Sequence, residues 1–253
     1  LVPRLTALAQ LARGFDIGFN IDAEEADRLE LSLDVFEALC LAPELAGWDG
    51  AGFVVQAYMK RGPFVIDWLA DLARRSDRRI MTRLVKGAYW DSEIKRAQTL
   101  GLADFPVFTR KIHTDVSFLA CARRMLEAGD ALYPQFATHN AMTLASVIEM
   151  AGRDRPAADY EFQCLHGMGE PLYEEVVGPG KLGRPCRIYA PVGDHETLLA
   201  YLVRRLLENG ANSSFVNRIA DETLPTAELL ADPVAAACAV SPVGAPHEEI
   251  AAP

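Results

Sequence analysis

The sequence lacks the cysteine patterns that hold small secreted proteins together or bind structural zinc. Its 253 residues include five cysteines, at positions 40, 121, 164, 186 and 238, and no two of them have CxxC spacing. An odd, scattered set argues against a disulfide framework and favours a reducing compartment. The histidines also lack the partner spacing of a zinc site. We therefore expect a cytoplasmic protein without a metal centre.

Long apolar runs and an excess of positive charge are also missing. No apolar stretch approaches the ~18–20 residues needed to cross a bilayer, and no secretory signal peptide opens the chain. The 25 basic residues are outnumbered by 35 acidic residues, which gives a formal net charge of −10. Because binding to nucleic acid requires concentrated positive charge, we expect no nucleic acid contact by this chain.

Six short apolar segments of strand character are present, and a helical pattern follows each of them. They span residues 15–22, 52–59, 80–89, 133–140, 160–167 and 187–193. The helix after the first segment is predicted from residue 23, and the helix before the fourth segment is predicted over residues 116–128. Strands that alternate with helices predict an α/β fold with a parallel sheet. Each segment ends in polar residues, and the carboxyl ends of parallel strands open onto one face. The pattern therefore predicts an enzyme active site on that face.

Two architectures are compatible with six such units. One is a (β/α)8 TIM barrel whose first two βα units lie upstream of residue 1; the other is an open doubly wound sheet. No GxGxxG turn marks the switch point of a dinucleotide-binding sheet, and the polar clusters spread over all six strands, which favours the barrel. We assign residues 1–234 to the barrel and interpret residues 235–253, where proline becomes frequent, as a linker or tail.

Four motifs resemble the proline dehydrogenase family, and more narrowly the proline dehydrogenase domain of bacterial bifunctional proline utilization A. They are RLVKGAYWDSEIK at 83–95, FATHN at 136–140, EFQCLHGMG at 161–169 and YLVRRLLENGAN at 201–212. The resemblance covers residues 5–234. It implies a distorted (β/α)8 barrel whose eighth helix lies over the barrel mouth, with FAD at the carboxyl ends of the strands.

The same resemblance implies a reaction and partners. The reaction is the oxidation of L-proline to 1-pyrroline-5-carboxylate, with hydride transfer from proline C5 to flavin N5 and electrons passed on to a membrane quinone. It also implies an upstream lysine that binds the substrate carboxylate and a downstream aldehyde dehydrogenase module. Peripheral contact with the inner membrane is expected for such a protein.

Seven residues match the substrate site of the family. Arg204 and Arg205 match a carboxylate clamp, a role for which the forked guanidinium is suited. Asp22 matches an aspartate that orients the substrate amine, although its position also suits an N-cap of the next helix. Tyr89, Leu165, Tyr189 and Tyr201 match the wall around the pyrrolidine ring. The predicted catalytic set is Asp22, Tyr89, Arg204 and Arg205.

A second set matches positions that contact FAD. Arg83 and Lys86 lie in an apolar strand, where a buried cation needs a compensating charge, and an anionic flavin supplies one. The complete set is Gln56, Arg83, Val85, Lys86, Gly87, Ala88, Trp90, Thr138, His139, Glu208, Ser213, Ser214 and Phe215.

Two alternative functions are compatible with the residues alone. Lys86 at a barrel strand end could form a Schiff base, as in TIM-barrel lyases, and such a lysine would be trapped by borohydride with a carbonyl substrate. A catalytically inert barrel fragment is the other alternative, and it predicts a colourless purified protein.

Overall fold

Six parallel strands form a single sheet in the computed structural model, which describes residues 1–210, 225 and 230–253, except for the side chains of 207–210. The strands are β1 Phe19–Ile21, β2 Ala51–Gln56, β3 Ile80–Val85, β4 Leu132–Ala137, β5 Glu161–Leu165 and β6 Cys186–Tyr189. All six predicted strands are confirmed. Each is shorter than its predicted segment. Polar residues at the carboxyl ends leave the sheet to form the loops of the site, and β1 also begins four residues later than predicted, because residues 15–18 lie outside the strand.

Helices follow the strands along the chain. They are α1 Val2–Gly14, α2 Leu29–Cys40, α3 Gly62–Arg75, α4 Trp90–Leu100, α5 Lys111–Glu127, α6 Ala141–Ala151, α7 Glu170–Glu174, α8 His195–Gly210 and α9 Pro233–Cys238. Local chemistry sets several ends. Asn140 caps α6 by accepting a 2.9 Å hydrogen bond from the amide of Thr143, and Gly101 ends α4 in the left-handed conformation. In the part of the chain that the structure describes, no helix is long and apolar enough to span a membrane.

Two predicted helices begin at other residues. The helix predicted from residue 23 begins only at Leu29, after a 3₁₀ turn over Ala26–Arg28. Asp22 therefore does not cap it, and the N-cap interpretation of this residue is wrong. The helix predicted from residue 116 begins five residues earlier, at Lys111.

The strand order distinguishes between the two candidate architectures. The strands are neighbours in sequential order, β1 to β6, and all are parallel. A doubly wound sheet reverses its order at a switch point, and this sheet does not. The sheet is a curled half-barrel with its helices on the outer side, so the α/β class and barrel-type winding are confirmed. The full count of eight units stays a prediction.

The main hydrophobic core lies between the sheet and the outer helices. Phe36 of α2, Leu69 of α3 and Phe118 of α5 pack in one cluster with Phe53 of β2 and Phe136 of β4, and all five are at most 1% exposed. Burying a side chain of this size stabilises the fold by about 1.5–3 kcal/mol.

The opposite face of the sheet is the barrel interior and carries polar residues. Successive side chains of a strand point to opposite faces, so the residues that alternate with the core positions face inward. The register aligns Val54, Arg83, Gln135 and Glu161 across β2 to β5. Alternation in these strands thus turns a mainly apolar face toward the outer helices and places Arg83, Gln135 and Glu161 on the interior face.

The C-terminal segment lies against the outer helices. Helix α9 packs on α5, the backbone amide of His247 donates to Thr109 Oγ1 at 2.8 Å, and Gln98 of α4 donates to the carbonyl of Ala251 at 2.8 Å. These contacts anchor the segment to this side of the sheet. Its interpretation as a linker or tail of the barrel stays a prediction.

Candidate active site

The carboxyl ends of the strands and helix α8 carry the residues predicted to bind substrate and cofactor. Asp22 follows β1, Gln56 ends β2, Arg83 lies in β3, Leu165 ends β5 and Tyr189 ends β6. The remaining described members are Val85, Lys86, Gly87, Ala88, Tyr89 and Trp90 at the end of β3, Thr138 and His139 after β4, and Tyr201, Arg204 and Arg205 on α8.

Asp22 and Arg83 form an ion pair across the ends of β1 and β3. Arg83 Nη2 donates to Asp22 Oδ1 at 2.6 Å, and the Arg83 and Asp22 side chains are 14% and 69% exposed, respectively. The same Asp22 oxygen accepts a 3.0 Å hydrogen bond from the amide of Ala23. The carboxylate is therefore held at the mouth of the half-barrel with one side open to solvent.

Arg83 also connects to the end of β6. Its guanidinium carbon lies 5.1 Å from the ring centroid of Tyr189, which is the geometry of a cation–π contact. Its Nε is buried and has no hydrogen-bond partner among the described residues. A buried donor of this kind costs free energy unless it is satisfied, so Arg83 Nε is suited to donate to a bound acceptor.

Tyr89 joins the loop after β1 to helix α8. Its hydroxyl donates to Glu24 Oε2 at 2.7 Å, and the guanidinium carbon of Arg204 lies 5.2 Å from its ring centroid. Burial, followed by the hydrogen bond to Glu24, raises the pKa of Tyr89 to about 12. Tyr89 is therefore a neutral hydrogen-bonding group at physiological pH.

Helix α8 brings its two arginines to the site in different ways. Arg204 stacks on Tyr89, whereas the guanidinium of Arg205 lies 5.3 Å from the ring centroid of Tyr201, one turn earlier on the same helix. The pKa of His139, which follows β4, is lowered mainly by burial and secondly by the charge of Arg205. The helix therefore reaches side chains at the ends of both β3 and β4.

A tight turn after β3 packs against β2. Gly87 has φ +134°, and a Cβ atom there would lie 2.5 Å from the ring of Tyr58, so only glycine fits. Gln56 is 3% exposed, accepts a hydrogen bond from the amide of Ala88 at 3.3 Å and donates to the carbonyl of Glu24 at 2.8 Å. Gln56 thus connects this turn to the loop that contains Asp22.

Lys86 pairs with a carboxylate on α5. Its Nζ donates to Asp115 Oδ1, while Lys111 Nζ lies 3.0 Å from the other oxygen of Asp115. Burial lowers the pKa of Lys86, and Asp115 opposes that effect. Burial raises the pKa of Asp115, but the two lysines more than offset it and hold that pKa below its usual value. The three charges leave one net positive charge at the end of β3.

Two further predicted cofactor positions make local contacts. The indole of Trp90, at the start of α4, donates to the carbonyl of Phe108 at 2.8 Å. The carbonyl of Val85 accepts from the amide of Ala57 at 2.8 Å, which continues the β2–β3 pairing. Both contacts stabilise the loop that begins at Lys86.

His139 lies between the ends of β4 and β5. Its Nε2 accepts a 3.1 Å hydrogen bond from the amide of Leu165, and burial, followed by Arg205, lowers its pKa to about 4. The carbonyl of the preceding Thr138 accepts from the hydroxyl of Tyr173 at 2.7 Å. At neutral pH, His139 is therefore an uncharged side chain that orients the end of β5.

Four predicted positions cannot be compared with the structure. Ser213, Ser214 and Phe215 lie outside the described residues, as does the side chain of Glu208. Their assignment to a cofactor stays a prediction.

The cysteines near the site have the properties of core residues. Cys164 of β5 packs in the hydrophobic core, and its Sγ lies 3.8 Å from that of Cys186 on β6. Burial raises the pKa of both thiols, to about 12 for Cys186, which disfavours the nucleophilic thiolate. Over residues 1–210 and 230–253, no group of three or more His, Cys, Asp or Glu side chains could hold a metal ion.

Three carboxylates outside the predicted set contact predicted site residues or the strands beside them. They are Glu24, the partner of Tyr89; Asp115, the partner of Lys86; and Glu161, which accepts hydrogen bonds on the interior face. Glu24 could have been found from its position two residues after Asp22. Asp115 pairs with Lys86, 29 residues away, and no local pattern identifies it. Glu161 opens the EFQCLHGMG motif, but its charge partner Arg187 lies on another strand, so the motif alone does not reveal its role.

Comparisons with known proteins show which family the sequence resembles. The family model described as proline dehydrogenase matches residues 1–218. The bifunctional protein PutA of Klebsiella aerogenes is 68% identical over 260 residues, which cover 100% of this chain and 20% of that protein. The bifunctional protein PutA of Rhizobium meliloti is 70% identical over 254 residues, covering 100% of this chain and 21% of that protein.

A solved structure agrees with the fold. A mutant of proline utilization A from Bradyrhizobium japonicum superposes with a TM-score of 0.93 at 55% identity, covering 99% of this chain and 25% of that chain. The chain described here therefore spans about a fifth to a quarter of the length of the relatives that it matches.

Proposed function

This chain belongs to the proline dehydrogenase family, and on that premise we propose that it forms the site at which L-proline is oxidised to 1-pyrroline-5-carboxylate within a longer protein. One observation carries the proposal: Arg204 of α8 lies 5.2 Å from the ring centroid of Tyr89, whose hydroxyl donates to Glu24, two residues after the Asp22 that pairs with Arg83. Arg204 is then available to the carboxylate of an amino acid, and Asp22 is available to its amine.

The substrate carboxylate is assigned to the two arginines of α8. Guanidinium groups bind carboxylates bidentately through parallel N–H donors. Arg204 Nε is buried and has no hydrogen-bond partner in the described part of the chain, which supports a binding role. Bound carboxylate would draw α8 onto the site, since Arg204 also contacts Tyr89.

The ring and amine of proline are assigned to the ends of the strands. Tyr89, Leu165, Tyr189 and Tyr201 supply the surface that a small saturated ring requires, and they exclude water from it. Asp22 orients the ring nitrogen so that its lone pair can form the C=N bond as the hydride leaves C5. Because Arg83 binds Asp22 at 2.6 Å, we assign Asp22 an electrostatic and orienting role.

The residues present fit an FAD cofactor. Arg83 Nε is a buried donor without a partner among the described residues, the end of β3 carries net positive charge, and Gly87 lets the backbone approach closely. When bound, the flavin supplies the two-electron acceptor for the hydride. Gln56, Arg83, Val85, Lys86, Gly87, Ala88, Trp90, Thr138 and His139 would hold it, together with Glu208, Ser213, Ser214 and Phe215.

The family to which the chain belongs disfavours a Schiff-base lyase. A nucleophilic lysine must lose its proton. Burial lowers the pKa of Lys86, and the ion pair with Asp115 opposes that effect without cancelling it. Borohydride trapping with a carbonyl substrate would test this directly. An inert barrel fragment would be colourless, so the appearance of the purified protein tests that alternative.

The partners of the whole protein follow from the same proposal. We assign a quinone as the electron acceptor and a downstream aldehyde dehydrogenase module as the consumer of the product. We also propose a cytoplasmic protein with peripheral contact to the inner membrane and no nucleic acid contact by this chain.

The experiment that tests the function is an anaerobic titration of the purified full-length protein with L-proline. Oxidised-flavin absorbance that bleaches on addition of L-proline would support both cofactor and reaction, and D-proline is the matched control. Bound flavin that stays oxidised would refute the assigned reaction. A protein that takes up no flavin would refute the cofactor assignment.

A further inference from the structure

A buried carboxylate on the barrel interior connects three strands below the candidate active site. Glu161, the first residue of β5, is 4% exposed. It accepts hydrogen bonds from Gln135 Nε2 at 3.0 Å, from Gln163 Nε2 at 2.8 Å and from Tyr133 Oη at 3.4 Å. Burying a charge is costly unless it is paired and hydrogen-bonded, and these donors satisfy much of that requirement.

The charge partner of Glu161 lies on β6. Arg187 Nε donates to Oε1 at 2.9 Å and Nη2 donates to Oε2 at 3.0 Å. This is the bidentate arrangement that is stronger and more directional than a single hydrogen bond. The side chain of Arg187 is 63% exposed, whereas that of Glu161 is 5% exposed. The pair therefore connects β6, whose Arg187 side chain is exposed, to the buried Glu161 inside the barrel.

Strand β6 carries a predicted wall of the ring pocket. It has four residues, and its two central residues are exposed. Arg187 and Tyr189 are two residues apart, so their side chains point to the same face of the sheet. The ring of Tyr189 in turn contacts Arg83. The position of this ring thus depends on how firmly the interior face of β6 is held.

A purely structural ion pair would behave differently. Replacing a buried ion pair with apolar residues of similar volume is often neutral or stabilising. Such a role would alter resistance to unfolding without altering which substrates the site accepts. A pair that positions Tyr189 would alter the KM for proline and the discrimination between ring substituents even in a well-folded protein.

We propose that Glu161 and Arg187 are positioning residues that determine substrate specificity by holding β6, and with it Tyr189, against Arg83. The inference rests on the proposed function. The hydrogen-bonded network from Gln135 through Glu161 to Arg187 holds β6 in place. The ring of Tyr189, on the same strand, is thereby positioned against the substrate.

The test is the kinetics of Arg187→Met in the full-length protein with bound flavin. We expect the KM for L-proline to rise by up to about tenfold, the limit reached when the whole loss of a charge-assisted contact is passed on to substrate binding, with kcat changed less than about twofold. The preference for L-proline over trans-4-hydroxy-L-proline should fall in parallel, because the wall at the ring edge is no longer held. Arg187→Lys, which keeps the charge, should restore part of both quantities.

Lys181→Met is the matched control. It removes an ion pair with Glu175 in the segment before β6, at 2.8 Å and between exposed side chains, and it should leave KM and preference unchanged. The inference would be overturned if Arg187→Met folds and binds flavin but keeps the wild-type KM for L-proline and the wild-type preference for L-proline over trans-4-hydroxy-L-proline. If Arg187→Met does not fold, Glu161→Gln decides, because it keeps the shape and removes the charge; unchanged values there would also overturn it.

The proposed function and the positioning role of Glu161 and Arg187 can be refuted separately. Wild-type flavin that L-proline does not reduce would refute the proposed function. If L-proline reduces the flavin of the wild-type protein but Arg187→Met and Glu161→Gln keep wild-type specificity, only the positioning role is refuted.

Discussion

Replacing Asp22 with asparagine tests the proposed orientation of the substrate amine. Asparagine has nearly the same shape and can still accept the hydrogen bond from Arg83, which in the native protein is 2.6 Å long. The substitution therefore removes the negative charge with little change in packing. We expect the flavin to stay bound and kcat/KM for L-proline to fall.

The magnitude follows from the exposure of the Asp22 carboxylate, whose charge would interact with the substrate amine. A hydrogen bond to a charged group contributes about 1.5–3 kcal/mol when it is well buried, and solvent screening reduces the contribution of an exposed ion pair to about 1 kcal/mol or less. Asp22 is 69% exposed but Arg83 only 14%, and bound substrate would exclude further water. We therefore expect a loss of about 1–2 kcal/mol, which corresponds to about a 5- to 30-fold lower kcat/KM.

The assay is steady-state proline oxidation with a soluble quinone, together with the flavin absorbance of each preparation. Asp16→Asn is the matched control, because Asp16 has φ +53°, a conformation that asparagine also adopts readily. Wild-type kcat/KM for Asp22→Asn at full flavin content would refute the orienting role. Loss of flavin from this variant would instead indicate that Asp22 acts through the cofactor site.

Three further predictions concern the loops around the site. Gly87→Ala should lower the free energy of unfolding, measured in urea, by at least about 2 kcal/mol. Alanine is excluded by the φ of +134° and by the ring of Tyr58, which would lie 2.5 Å from the new Cβ atom. Wild-type stability would contradict this prediction. Chiefly through burial, the pKa of His139 falls from 6.5 to about 4, so the unfolded chain takes up the proton first as the pH falls. The stability contributed by neutral His139 is therefore complete above pH 6.5 and is lost toward pH 4, by about 2 kcal/mol near pH 5. Urea unfolding of His139→Gln should lack this part of the pH dependence, and an unchanged slope would argue against it. Lys86→Met should weaken FAD binding about tenfold or more in equilibrium dialysis, whereas Lys111→Met, at a more exposed partner of the same carboxylate, should weaken it less; equal effects would contradict the assignment of Lys86.

Local sequence pattern was sufficient to predict the elements of the fold. The apolar segments of β2 and β4 are buried along almost their whole length, and such segments are recognisable without knowledge of their neighbours. Turn residues mark helix ends, as with Asn140 before α6 and Gly101 after α4. Boundaries were less accurate where polar residues left the sheet or where a 3₁₀ turn preceded a helix.

Pairing between distant residues was not predictable in the same way. The sequence pattern was compatible with Asp22 as a helix cap, but its partner is Arg83, 61 residues away. Tyr89 pairs with Glu24, 65 residues away, and Lys86 with Asp115, 29 residues away. Neither carboxylate partner lies in a motif, because these carboxylates are selected by position in space and not by local spacing.

The sequence by itself determined the α/β class, the six strands and the family to which the chain belongs, since these depend on the periodicity of apolar residues and on contiguous motifs. Only the tertiary structure decided which charges meet: Asp22 with Arg83, Glu24 with Tyr89, and Glu161 with Arg187. The physical reason is that strand register and the path of α8 set these contacts, and both result from packing of the whole chain. A side chain at a strand end acquires its partner, its exposure and its pKa only when the neighbouring strands are in place.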